Sequence, residues 1–164
     1  MVRILLDAMC GGLRGFLRMC GHDAAYALER GSEDDKAVLA IADAEDRTVV
    51  TRDEQLAARA DDAVLLSEHE PVDQLVELAA AGLDLRLDAE PSRCGRCNGR
   101  LERVGGDEPI DDADDVDRDA RPDYVPDDID DLWRCRDCGQ YFWKGSHWER
   151  VERTLAEVRA RAEE

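Results

Sequence analysis

The spacing of apolar positions changes several times along the first ninety residues, and each change marks an element. Residues 2–6 are almost continuously apolar, as a short buried strand requires. Leu13, Phe16, Leu17 and Cys20 then recur at i, i+3, i+4 and i+7, the spacing of one helix face. A weaker strand follows at 23–28. Ser32 and Asp35 have capping-box spacing and open a helix with Val38, Ile41 and Ala42 inward. Residues 47–51 predict a second clear strand, 53–60 a helix, and 63–67 a third clear strand. Pro71 suits the first turn of a helix through Ala80. Strands alternating with helices predict a parallel sheet with helices on both faces. Residues 148–164 read as a charged terminal helix.

Composition narrows the setting. The chain has 164 residues, with 40 Asp+Glu against 22 Lys+Arg and a formal net charge of −18. So acidic an average argues against nucleic-acid or membrane binding by the whole surface. No apolar run is long enough to span a bilayer. Asp7 and Arg14 interrupt the apolar start too early for a signal-peptide core. The expected location is cytoplasmic. Only Lys36 and Lys144 are lysines; every other basic side chain is arginine. Abundant carboxylates with almost no lysine suggest a halophilic protein, whose self-repulsion concentrated salt would screen.

Cysteine spacing supplies the strongest local signal. Cys94-x2-Cys97 and Cys135-x2-Cys138 are two knuckles, each turning two sulfurs toward one point. Four thiolates suit tetrahedral Zn²⁺ and leave no open position for substrate, so such a zinc is structural. The competing readings are disulfides or redox pairs, and His147 is an alternative ligand. Cys10 and Cys20 stand apart and read as core thiols.

Between the knuckles, residues 105–132 hold 13 acids against Arg118 and Arg121, with three prolines. This reads as a flexible acidic insertion, either a solvated loop or an arm that mimics nucleic acid. The flanking segments are opposite in charge. Arg93, Arg96, Arg100, Arg103, Arg134, Arg136, Lys144, Arg150 and Arg153 lie there, interleaved with Tyr141, Phe142, Trp143 and Trp148. Arginine among aromatics suits phosphate contact and base stacking, although some of these rings would form the ribbon's own core. The −18 average therefore conceals a local basic, aromatic surface.

In a parallel sheet every strand ends at the same edge. Asp7 follows the first strand, Asp34 and Asp35 open the helix after the second, and Asp53 follows the third. Three acids from three junctions thus converge where open α/β sheets bind ligands. Each could instead cap a helix. Together they suit Mg²⁺ or Mn²⁺, which prefer oxygen ligands. Arg14 and Arg18 start near the same edge, on the outward side of their helix, and could hold a phosphate backbone or simply be solvated.

These residues resemble the Mut-seven C-terminal RNase domain family. The resemblance rests on Asp7, Met9, Gly11, Leu13, Leu17-Arg18 and Gly21; on Asp35; on Arg47-x3-Thr51-Arg52-Asp53; and on both knuckles with Asn98-Gly99 and Tyr141-x-Trp143-x-Gly145-Ser146-His147-Trp148. It implies a PIN-like three-layer α/β/α domain with a mainly parallel sheet (1–90), a four-cysteine zinc ribbon carrying the insertion (91–148), and a C-terminal helix (149–164). It also implies a metal-dependent ribonuclease acting on RNA. Asp7, Asp35 and Asp53 would bind Mg or Mn, supported by Thr51, and Cys94, Cys97, Cys135 and Cys138 would bind zinc. Arg14, Arg18 and Arg52, with Trp143 and His147 of the ribbon, are the expected substrate contacts. Gly12 and Gly15 stand where the family often carries basic residues. The alternative is a non-catalytic RNA-binding or protein-interaction module on the same scaffold.

Overall fold

The computed structural model describes residues 2–32, 34–104, 123–126, 129 and 131–163. Most of the acidic insertion falls outside the described residues. Four strands form the first sheet: β1 (Arg3–Leu6), β2 (Asp23–Tyr26), β3 (Thr48–Thr51) and β4 (Ala63–Leu65). Their order is β2-β1-β3-β4, and every pairing is parallel. The connections carry α1 (Arg14–Met19), α2 (Asp35–Glu45) and α3 (Glu54–Arg59), and α4 (Pro71–Ala80) follows β4. A second, antiparallel sheet joins β5 (Leu101–Val104), β6 (Leu132–Cys135) and β7 (Tyr141–Phe142), and α5 (Ser146–Ala162) closes the chain.

Side chains alternate across a strand, so a sheet covered on both faces needs apolar residues at consecutive positions. Ile4 and Leu6 of β1 face one core, with Leu13, Leu17, Leu75 and Leu78. Leu5, between them, faces the other, with Val38, Ala42 and Leu56. The result is the expected three-layer α/β/α arrangement beside a four-cysteine ribbon.

The terminal helix lies with the first of these cores. Val151, Leu155 and Val158, at i, i+4 and i+7, are buried with Leu75 and Leu78 of α4. The Arg159 guanidinium donates to the Leu85 carbonyl at 2.7 Å, and Arg161 pairs with Asp73 at 3.0 Å. A segment that is strongly charged in sequence is thus amphipathic, and its narrow apolar stripe completes the layer.

One element goes beyond the expected helix and one local expectation is corrected. Ahead of α1 the chain also forms 3-10 turns over Ala8–Leu13, with Cys10 off helical geometry inside that span. The Ser32–Asp35 capping box does not form. The Ser32 N–H closes the preceding turn on the Ala27 carbonyl, and Asp34 takes the N-cap of α2, accepting from Lys36 and Ala37 N–H. Asp34 has extended backbone there, as an N-cap requires.

Candidate functional site

Parallel register builds the site. Leu6 of β1 lies opposite Val50 of β3, and the Asp7 N–H continues the ladder to the Val50 carbonyl at 3.0 Å. One residue on, Asp7 and Thr51 stand side by side. The Thr51 hydroxyl donates to Asp7 Oδ2 at 2.8 Å, and Thr51 Oγ1 accepts from the Asp53 N–H at 3.0 Å. Thr51 is fully buried and Asp7 nearly so. The second Asp7 oxygen accepts from Ala8 N–H at 2.8 Å, and Asp53 Oδ1 caps α3 through Gln55 and Leu56 N–H. Asp7, Thr51 and Asp53 therefore form one hydrogen-bonded chain at the C-terminal edge of the sheet. Asp35 lies outside that chain, with its carboxylate 3.9 Å from Arg59 of α3.

The floor of this edge is close-packed. Tyr26 of β2 donates its hydroxyl to the Ala8 carbonyl at 2.8 Å. A Cβ on Gly11 would fall 2.6 Å from that hydroxyl oxygen, so only glycine admits the contact. Cys10 is buried beside Asp7. Burial, reinforced by the Asp7 charge, pushes its thiol up to about 11, so at neutral pH it remains protonated and is no nucleophile. Burial likewise pushes Cys20 up to about 12.

The arginines divide sharply. Arg52 contacts His69 Nε2 at 2.9 Å, and its own Nε is buried without a hydrogen-bond partner. His69 comes from the loop after β4, and nothing local in the sequence marks it as a neighbour. Arg14 donates to Glu29 at 2.8 Å and to the Gly11 carbonyl at 2.9 Å, and lies over the Tyr26 ring. Arg18 overturns the expectation of an outward side chain, being only 1% exposed. It donates to the carbonyls of Ala24 at 2.9 Å and Gly95 at 3.0 Å, and pairs with Glu29 at 3.4 Å. Its role is to hold the ribbon against β2. Burial lowers its pKa, opposed by Glu29.

The four knuckle cysteines meet as their spacing predicts. Their sulfurs all lie within 4.8 Å of one another, with Cys94···Cys138 at 3.6 Å and Cys97···Cys135 at 3.5 Å. A disulfide requires about 2.05 Å, whereas ~2.3 Å Zn–S bonds in a tetrahedron put sulfurs about 3.8 Å apart. The arrangement is that of a metal site. N–H groups of Asp137 and Cys138 point at the Cys135 sulfur, both at 3.4 Å, and favour its thiolate. Cys94 and Cys97 are raised by burial. Among the described residues, only these cysteines gather ligand atoms closely enough for one ion; the carboxylates do not.

Trp143 and His147 line one cavity of about 360 Å³ where the ribbon meets α1. Phe142 and Trp148 share its wall. Trp143 also stacks on Tyr124, with ring centroids 6.1 Å apart. No helix among the described residues is long and apolar enough to cross a membrane.

No curated protein and no solved structure matches the chain. The family model described as the Mut7-C RNAse domain matches residues 2–155, a span that includes the acidic sheet edge, both knuckles and most of α5. The chain therefore belongs to the Mut7-C RNAse domain family.

Proposed function

We propose that this protein is a metal-dependent ribonuclease that hydrolyses phosphodiester bonds in single-stranded RNA, with the ribbon assisting RNA binding. The Asp7–Thr51–Asp53 chain carries this reading, because it fixes the Asp7 carboxylate beside the backbone of Asp53, whose own carboxylate caps α3, at the ligand-binding edge of a parallel sheet in a member of an RNase-named family. The donors proposed for the ion are all oxygens: Asp7 and Asp53, with Asp35 or its neighbour Asp34 at the start of α2. Oxygen donors suit Mg²⁺ or Mn²⁺, and because these carboxylates do not by themselves gather around one point, binding would have to draw them together. Such an ion supplies activation of water and neutralisation of charge on the phosphate when bound.

The chain's own residues do the positioning. Thr51 and the Ala8 N–H hold the two oxygens of Asp7, so its carboxylate keeps one rotamer. Capping holds Asp53 in the same way. Arg52 adjoins Asp53 in sequence and supplies positive charge for a backbone phosphate. The four cysteines, with no position left for substrate, hold a structural zinc.

One observation favours the non-catalytic alternative: Asp7, Asp34 and Asp53 each cap a helix or turn. Labelled single-stranded RNA incubated with Mn²⁺ or Mg²⁺ in molar salt decides between the two. Cleavage by the wild type, lost in Asp7→Asn and Asp53→Asn, supports the nuclease. A wild type that binds RNA without cutting, or variants that cut equally well, overturns it.

A further inference from the structure

The cavity between the ribbon and α1 has an unusual wall. Aromatic rings of Phe142, Trp143 and Trp148 come from β7, the connection after it and the start of α5, and Gly15 and Met19, four apart, form the α1 side. Arg93 and Arg96 of the first knuckle complete it. No carboxylate lines it among the described residues, although the chain has 40. By contrast, the cavity at the opposite sheet edge includes Asp62, that beside α2 includes Asp34, and that under β5 includes Asp88 and Glu90. Arg93 is paired with Asp23 at 3.8 Å, so exposed Arg96 carries the charge this rim presents. On so acidic a molecule, a cavity walled by aromatic rings, with a cation and no carboxylate at its rim, is complementary to a planar, anionic ligand.

We propose that this cavity is a docking pocket for one unpaired RNA nucleotide, its base against the aromatic wall and its phosphate toward Arg96. The inference rests on the RNA reading above and names the place where the ribbon would grip the strand. At about 360 Å³ the volume lies near the lower bound of small-molecule sites, about 300 Å³. That size suits one nucleotide and excludes a helix. A base buried there must be unstacked, so single strands bind and duplexes do not. Gly15 widens the pocket. A Cβ at Gly15 would meet no atom within 4 Å, and any longer side chain there grows into space the base would occupy. Arg96 is exposed, with its guanidinium 3.3 Å from Gln140, and turns the rim positive.

Gly15→Leu is the decisive variant, since it plugs the pocket while leucine favours a helix more than glycine does. The probe is a 5′-labelled hexanucleotide RNA, measured on the full zinc-loaded chain with Asp53→Asn to prevent cutting, alongside tryptophan fluorescence. The pocket predicts RNA-dependent quenching, an affinity loss of at least about tenfold for Gly15→Leu, and a severalfold loss for Arg96→Gln with a shallower salt dependence. A duplex of the same length binds far more weakly. If Gly15→Leu keeps a cooperative melt and binds the hexanucleotide as tightly as its parent, the cavity is a packing space and the proposal fails. The two readings fail separately. Cleavage by wild type with unchanged Gly15→Leu binding removes only the pocket, and pocket-dependent binding without wild-type cleavage removes only the nuclease.

Discussion

Asn98 of the first knuckle fastens the ribbon to the edge of the parallel sheet through Asp23. Its Nδ2 donates to Asp23 Oδ1 at 2.6 Å, and its Oδ1 accepts from the Ala24 N–H at 3.0 Å. Edge strands expose unpaired backbone groups. Here Asn98 takes the Ala24 N–H and Arg18 takes its carbonyl, so the ribbon covers the β2 edge. Asn98 has φ 69°, a left-handed conformation that asparagine tolerates better than most residues. Asn98→Ala should cost about 1–3 kcal/mol in urea unfolding, from a half-buried charge-assisted bond and an Ala24 N–H left without its partner.

Asp23 makes this junction acid-sensitive. Burial would raise its pKa, but hydrogen bonds from Arg47 and Asn98, aided by the Arg47 and Arg93 charges, outweigh that and hold it below the usual range. A carboxylate depressed in the folded state contributes stability that is complete above its unfolded value, about 3.9. That contribution is lost as pH falls through the folded value. Stability measured downward from about pH 5 should therefore drop more steeply in wild type than in Asp23→Asn, and parallel curves would contradict this.

Asp53→Asn separates charge from structure at the sheet edge. Asparagine caps a helix about as well as aspartate, so the melting temperature should change little. Metal-dependent cleavage should fall on the order of a hundredfold or more. Thr51→Val removes the hydroxyl that joins Asp7 to the Asp53 N–H and should lower both activity and stability, by about 1–3 kcal/mol for the latter.

Arg18 should behave as a structural residue. Arg18→Ala strips donors from two carbonyls and leaves Glu29 with Arg14. The expected cost is about 2–4 kcal/mol. Because Arg18 braces the cavity through Gly95, its removal should weaken RNA binding only through that cavity, so Arg18→Ala added to Gly15→Leu should cost no further affinity; a further loss would restore a substrate role.

Metal removal should act on the ribbon first. Elemental analysis should give about one zinc per chain. A strong chelator, or Cys97→Ser, should quench cooperative unfolding because a structural zinc's binding energy is folding energy. Disulfides in place of metal would refute the site.

Much of the architecture is legible along the chain because its causes are local or periodic. Consecutive apolar residues at 4–6 reveal a strand buried on both faces, Pro71 marks the start of α4, and C-x2-C spacing turns the two sulfurs of each knuckle toward one point. Parallel strands share one edge, so chain order alone brings Asp7 and Asp53 to the same end of the sheet.

Other relationships depended on distances that chain order does not encode. Arg14 and Arg18 look equivalent at i and i+4, yet Arg18 alone is buried, since the ribbon returns from Gly95 to cover it. His69 meets Arg52, and Asn98 meets Asp23, across 17 and 75 positions. The cavity holding Trp143 and His147 exists only because β7, α5 and α1 meet. Periodicity determines which face of an element is buried; which other element buries it, and which charges are thereby paired, is settled by the packing of surfaces remote in sequence.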